Sequence, residues 1–380
     1  MKLAGQQPLS SASGEPQVIV CVGGGGVGKT TTAAALALAL AAAGSRTLIV
    51  TIDPARRLAG ALGVPISDEV TPVALPVAAG RLHALMPDPK RSLHTFLDYL
   101  FEGKPEGRAR LLTNALYIGL SDAAAGMHEL VAMTLVAKSS AEGRFDVVVI
   151  DTAPSRHAID FVTYPGRLAA LLGGRTVGWL AGLAERANEG QPGNRKARSW
   201  SAGRIENLLA RVAGPHLLRD TAALFAELAT VRERFVALTE SASKLLLGDH
   251  AAYVLVAAPT AAASDDVLYL ARRLEKLGRS PRAVVLNRAD VQAAPFVEAL
   301  KGEKGLPASI VDALAVLEDE RERRTAAAAT LERELRPLGS VPVLRLPFIE
   351  QSAPEAIVMA LRESLAQHLH LLHSTDSKRG

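Results

Sequence analysis

Short runs of apolar or β-branched residues alternate along the chain with long stretches of helical periodicity, the pattern of a parallel sheet wrapped by helices. The runs predict strands at Val18–Val22, Thr47–Ile52, Leu82–Met86, Asp146–Ile150, Tyr253–Ala257, Ala283–Leu286 and Val343–Leu346. Several are apolar almost throughout, as expected when both faces of a sheet are covered. The alanine-leucine stretch Ala33–Ala43 predicts a buried helix, far shorter than the roughly 20 residues that span a bilayer. Between Ile150 and Tyr253 no strand is predicted. There Leu224, Leu228, Val231, Phe235 and Leu238 recur at four-three-four-three spacing, one face of a helix. Leu93, Phe96, Leu97, Leu100 and Phe101 open another helical insertion, from Lys90 to Val136. Gly190-Gln191-Pro192-Gly193-Asn194 reads as a surface loop. Asp312–Arg336 reads as a charged surface helix that stops before Pro337.

The chemistry enters at Gly23-Gly24-Gly25-Gly26-Val27-Gly28-Lys29-Thr30, which follows the first strand and opens the alanine-rich helix. This is the P-loop pattern in the context it requires. Glycines let the backbone curl until its N–H groups face phosphate oxygens, and the helix start adds its positive dipole end. Gly25, Gly26, Val27, Gly28, Lys29, Thr30 and Thr31 are the candidate ATP contacts. Lys29 is expected on the β- and γ-phosphates and the Thr30 hydroxyl on Mg²⁺. Asp151 ends an apolar strand and is the candidate second anchor for the metal. Asp53 follows the second strand on the edge where open α/β sheets bind ligands. It either orients or deprotonates the attacking water, or it caps the next helix. Beside Asp151, His157 is either a γ-phosphate sensor or a core histidine. Arg156 either neutralises transition-state charge or pairs with a nearby acid. Asn287 is either an adenine contact or a turn asparagine. One P-loop implies one nucleotide site per chain.

Composition narrows the partners. The chain has 380 residues, 48% hydrophobic and 22% charged, ordinary for a folded soluble protein. Lys and Arg number 43 against 39 acidic residues, a net +4 that is too small and dispersed to predict nucleic acid binding. The basic runs Arg195–Arg198 and Arg321–Arg324 read as solvated surface. Cys21 is the chain's one cysteine, so neither an internal disulfide nor a cysteine metal cage can form within one subunit. Met1–Glu15 lacks the charged start and apolar stretch of a signal peptide. The protein therefore reads as cytoplasmic and not membrane-spanning.

Three ordered motifs, the glycine-rich loop, Thr51-Ile52-Asp53-Pro54-Ala55 and Asp151-Thr152-Ala153-Pro154-Ser155-Arg156-His157, resemble those of the arsenical-pump (ArsA) ATPase family. That family includes the ATPases that deliver tail-anchored membrane proteins. The resemblance runs from about Gln17 to Glu350 and implies an α/β P-loop NTPase fold, with a mostly parallel twisted sheet flanked by helices and an inserted helical subdomain. It implies a flexible segment at 1–16 and an ATPase domain at 17–350 whose helical subdomain comes from insertions at about 88–136 and 164–250. A C-terminal helix and short polar tail would occupy 351–380. It further implies a homodimer closing on Mg-ATP, with Asp53 as the catalytic carboxylate beside Lys29. Asn287, Pro347 and Phe348 would sit at the adenine, and two switch segments would lead to a subdomain that engages a protein or membrane-protein client.

Three departures qualify the resemblance. The family places a lysine after the first glycine of the loop, reaching across the dimer; this chain has Gly24. Losing that cation slows hydrolysis by orders of magnitude unless Arg56, Arg57 or Arg156 replaces it. The cysteine cluster of arsenite sensing and the cysteine-bound zinc bridge are both absent. The chain has only five methionines, Met127 and Met133 among them, so the insertion leucines and phenylalanines form either a client groove or the subdomain's own core, with core favoured. The leading expectation is an ATP-hydrolysing enzyme with a client. The alternatives are a nucleotide-gated interaction protein with little turnover and, less favoured, the ATPase subunit of an arsenite or anion efflux pump.

Overall fold

The computed structural model describes residues 16–53, 57–75, 78, 81–118, 132, 134, 136–137, 143–153, 159, 220–221, 223–290, 300, 303, 305–336, 339, 341–349, 351 and 353–372. Arg56, Met127, Met133, Arg156, His157, the loop at 190–194, the basic run 195–198 and the polar tail lie outside these residues. The chain divides into two compact units, one of residues 1–88, 138–160 and 245–380 and the other of residues 89–137 and 161–244.

The first unit is built on eight strands: β1 (Gln17–Val22), β2 (Thr47–Thr51), β3 (Thr71–Pro72), β4 (Leu82–Leu85), β5 (Val147–Asp151), β6 (Ala251–Ala257), β7 (Pro281–Asp290) and β8 (Val343–Pro347). Their order is β3-β4-β2-β5-β1-β6-β7-β8, with every pairing parallel except β3 with β4. The mostly parallel sheet expected from the apolar runs is therefore present. β1, β2, β5 and β6 are buried along their whole length, which is why their sequences show no polar alternation. The two-residue β3 carries too little pattern to be read from sequence. β7 runs on to Asp290, four residues past the predicted end.

Helix α1 (Lys29–Ala42) is buried from Thr32 to Ala41. It packs against β2 and β5 and against the late helix α8 (Pro354–Ala366). Alanines on its surface allow close approach, and cover on several sides explains a helix with no polar face. The remaining helices of this unit include α2 (Arg57–Leu62), α6 (Ala261–Lys276) and α7 (Ala308–Leu335). Numbering in between gives α3 (Pro89–Leu100), α4 (Pro105–Thr113) and α5 (Arg232–Leu247).

α7 is largely exposed and carries the expected charges. Arg323 and Arg324 pair with Asp319 and Glu320 one turn earlier, and Arg321 with Glu318. The run is thus a solvated, internally paired face. Ala328, Leu331 and Leu335 bury one stripe of its last turns.

The second unit has its own core. Phe96, Leu97, Leu100, Phe101 and Leu111 cluster with Leu224, Val231, Phe235 and Leu238, with Leu93 and Leu228 packed against them. Phe96 meets Phe235 edge-on, ring centres 6.2 Å apart. Both apolar stripes read from the sequence therefore face one another and form core. Among the described residues, no helix is long and apolar enough to cross a membrane.

Candidate functional site

Parallel register brings the chemistry together at one edge of the sheet. Asp151, the last residue of β5, lies opposite Thr51 of β2 and Cys21 of β1. The loop from Gly23 to Gly28 leaves β1 directly after Val22, and Asp53 leaves β2 two residues after Thr51. Parallel strands share one direction, so their C-terminal ends place these motifs side by side.

The loop has the shape its glycines permit. A Cβ on Gly23 would lie 2.2 Å from the Val256 carbonyl oxygen, so the loop and β6 approach too closely for any side chain there. Gly28 has φ 88° and precedes the first residue of α1, a conformation open to glycine and strained for other residues. No side chain caps that helix start and no acid stands in its first turn, so its N–H donors are available to an anion. Gly25 and Gly26 are exposed at the loop's apex.

Lys29 is buried and its Nζ donates to the Gly24 carbonyl at 2.8 Å. Burial lowers its pKa, while Asp151 and Asp53 raise it. Asp151 is 0% exposed. Its Oδ2 accepts from the Thr51 hydroxyl at 3.1 Å, and its Oδ1 is buried with no hydrogen-bond partner. Burial pushes its pKa up to about 6 against the opposing pull of Thr30, Thr51 and Lys29. An orphaned carboxylate oxygen this deep is costly, and a cation beside Thr30 is what would satisfy it.

Asp53 is also buried. Its backbone N–H donates to the Thr51 hydroxyl at 3.2 Å, so that hydroxyl links Asp53 to Asp151. Its Oδ2 meets the guanidinium of Arg57 at 3.2 Å. Arg57 therefore pairs with Asp53 within the chain, while Arg56 and Arg156 fall outside the described residues.

Asn287 is buried, and its Nδ2 donates to the Val27 carbonyl at 3.0 Å. Pro347 closes β8 beside β7, paired in register with Asp290. Phe348 follows it, exposed, with the Arg324 guanidinium 5.3 Å from its ring centre. The structure thus gathers Lys29, Asp53, Asp151 and Asn287 around the loop and shows Phe348 in contact with Arg324.

Two residues went unassigned in the sequence. Thr51 stood inside a quoted motif, but nothing in its spacing revealed a hydroxyl bridging two aspartates. Asp266 of α6 gave no signal at all, yet its Oδ2 lies 2.5 Å from where a Cβ on Gly24 would be. Among the described residues, no group of three His, Cys, Asp or Glu side chains is arranged to hold a metal.

A parallel sheet whose central strand feeds a glycine-rich loop and a buried lysine defines an α/β P-loop NTPase fold. Residues 16–191 match the model of the anion-transporting ATPase family, so that segment is similar to the ArsA ATPases. It is 30% identical over 139 residues to the ATPase get3 of Schizosaccharomyces japonicus, covering 37% of this chain and 39% of that protein. It is 30% identical over 142 residues to the ATPase get3 of Schizosaccharomyces pombe, covering 37% and 40%. The chain thus matches about two fifths of the length of these curated relatives. Asn287, Pro347 and Phe348 lie beyond residue 191, outside the family match.

Proposed function

We propose that this protein binds Mg-ATP at the Gly23–Thr31 loop and hydrolyses it to ADP and phosphate. The observation that carries the reading is the buried, unpartnered Oδ1 of Asp151, set beside Thr30 and Lys29 at the mouth of a glycine-rich loop. Thr30 would ligate Mg²⁺ and Asp151 would anchor it directly or through water. The ion would neutralise charge on the β- and γ-phosphates. Lys29, now bonded to the Gly24 carbonyl, would swing to those phosphates, and burial strengthens that contact. Asp53 would take the proton of the attacking water or orient it. Asn287, Pro347 and Phe348 would meet the adenine.

By resemblance, the working form is a cytoplasmic homodimer. The 17–350 domain would turn nucleotide state into movement of the helical subdomain, which engages a protein or membrane-protein client. Both relatives are named ATPases, which supports the enzymatic reading. Burial raises the pKa of the Cys21 thiol, which disfavours the thiolate that arsenite sensing needs. Steady-state phosphate release by the full chain with Mg²⁺ and ATP tests the proposal. Turnover abolished by EDTA is expected, and absence of nucleotide binding overturns it.

A slow nucleotide switch is favoured by one observation, the acidic Asp266 against Gly24. A Cβ at position 24 would lie 2.5 Å from that carboxylate, so the loop has no room for the family's lysine unless Asp266 moves. Gly24→Lys alone is expected to leave turnover within about threefold of wild type, because its Cβ meets Asp266 Oδ2 and the new side chain is turned aside. Combined with Asp266→Ala, it is expected to raise turnover about tenfold or more. Single-turnover ATP hydrolysis by both variants is the check, and equal rates exclude Asp266 as the obstacle.

A further inference from the structure

Asn287 touches the loop across 260 residues of sequence, its Nδ2 donating to the Val27 carbonyl at 3.0 Å. That carbonyl shares a peptide unit with the N–H of Gly28. In a planar trans peptide the two point in opposite directions. Holding the Val27 carbonyl on Asn287 therefore aims the Gly28 N–H away from β7. The amide also fills the space behind the loop, since a Cβ on Gly28 would lie 2.1 Å from Nδ2.

The strand that delivers this amide is irregular at this point. β7 breaks register with β8 between Leu286 and Asp290, and Arg288 takes φ 61°. A left-handed arginine persists only where its surroundings hold it. Such irregularities commonly re-aim a side chain beside a functional site. Here Asn287 and Ala289 are buried while Arg288 is exposed.

We propose that Asn287 is a positioning residue that holds the P-loop in its phosphate-binding shape, whatever base the nucleotide carries. Gly28 has no Cβ to restrain its peptide, so without the Asn287 bond the Val27–Gly28 peptide is free to rotate. A rotated peptide presents a carbonyl oxygen where phosphate needs an N–H, and the phosphate site fails. An amide carries two N–H groups, so one bond to Val27 leaves a donor for adenine. The inference rests on the loop being the nucleotide site.

The test uses a ligand with phosphates and no base. Binding of inorganic tripolyphosphate and of ATP, each with Mg²⁺, is measured calorimetrically on the full chain, for wild type, Asn287→Ala and Asn287→Asp. Asn287→Asp keeps the side chain's shape while turning the donor into an acceptor facing an oxygen; burying that carboxyl lowers the melting transition, so binding of both variants is measured well below it. Both variants are expected to lose at least about tenfold in affinity for tripolyphosphate, the loss of one charge-assisted contact or more, and at least as much for ATP, which would also lose the adenine contact. Loss of ATP affinity with unchanged tripolyphosphate affinity overturns the inference and makes Asn287 a base contact only. Wild type that binds ATP and not tripolyphosphate overturns it too, because a loop held independently of the base grips phosphates alone. Wild type that binds neither ligand sinks the nucleotide-site reading instead.

Discussion

Asp53→Asn is expected to lower Mg-ATP turnover by about 10²–10⁴-fold, the range set by losing a positioned general base, with ATP affinity nearly unchanged. The substitution is close to isosteric and keeps the backbone N–H that bonds the Thr51 hydroxyl. What it removes is the negative charge. Three consequences follow: for the water that Asp53 would activate, for Lys29 and Asp151, whose charges Asp53 faces, and for Arg57, which meets Asp53 Oδ2 at 3.2 Å. The side chain of Arg57 is 57% exposed, so losing that pair should change stability by no more than about 1 kcal/mol. Folding and binding are thereby separated from chemistry. Phosphate release under saturating ATP, beside nucleotide titration and thermal unfolding, gives the three readouts. Unchanged turnover would reduce Asp53 to a structural partner of Arg57 at the start of α2 and move the base elsewhere.

Asp151→Asn should abolish Mg²⁺-dependent hydrolysis and, in metal-free protein, raise stability at neutral pH. The sign follows from burial. The carboxyl pKa rises from 3.8 to about 6 in the folded chain, so between those values the native state holds a proton that the unfolded chain has released. Stability from this group is full below about pH 4, falls as pH rises to about 6, and stays low above it. At about 1.4 kcal/mol per pH unit, the ionised carboxylate costs up to about 3 kcal/mol at pH 7. The groups that face it are Lys29, which favours its charge, Asp53, which opposes it, and the hydroxyls of Thr30 and Thr51. Asparagine carries no charge to desolvate. Denaturant unfolding in EDTA should therefore show the variant and wild type alike at pH 4 and the variant more stable at pH 8. Mg-ATP should then stabilise wild type and not the variant. A variant less stable than wild type at pH 8 would mean that Lys29 already neutralises Asp151, leaving no energetic reason for a metal.

These effects oppose one another. If the ionised form of Asp151 destabilises the empty protein as expected, its unpartnered oxygen comes at a cost to stability. Such a cost would point to a functional position more firmly than burial alone.

Much of the fold was legible along the chain because its signals are local. A strand buried on both faces must be apolar throughout, so β1, β2, β5 and β6 announced themselves. A loop that brings backbone against phosphate must be glycine-rich, and a helix covered on several sides reads as alanine and leucine. The stripes of Leu224 to Leu238 and of Leu93 to Phe101 were readable for the same reason, since helical periodicity declares which face is buried. That the two stripes form core was favoured by the sequence over a client groove, but that they bury against each other was not readable from it.

What only the tertiary structure decided depends on residues far apart in sequence. Parallel register put Thr51 between Asp53 and Asp151, turning an unremarked hydroxyl into a bridge. An irregular β7 carried Asn287 to the Val27 carbonyl, and α6 carried Asp266 to Gly24. Arg57 turned to Asp53, although the sequence left it equally open as a replacement for the missing lysine. Periodicity records which face of an element is buried, and a motif records which backbone shape is needed. Neither records the neighbour that arrives from another strand, because that contact exists only once the sheet has closed.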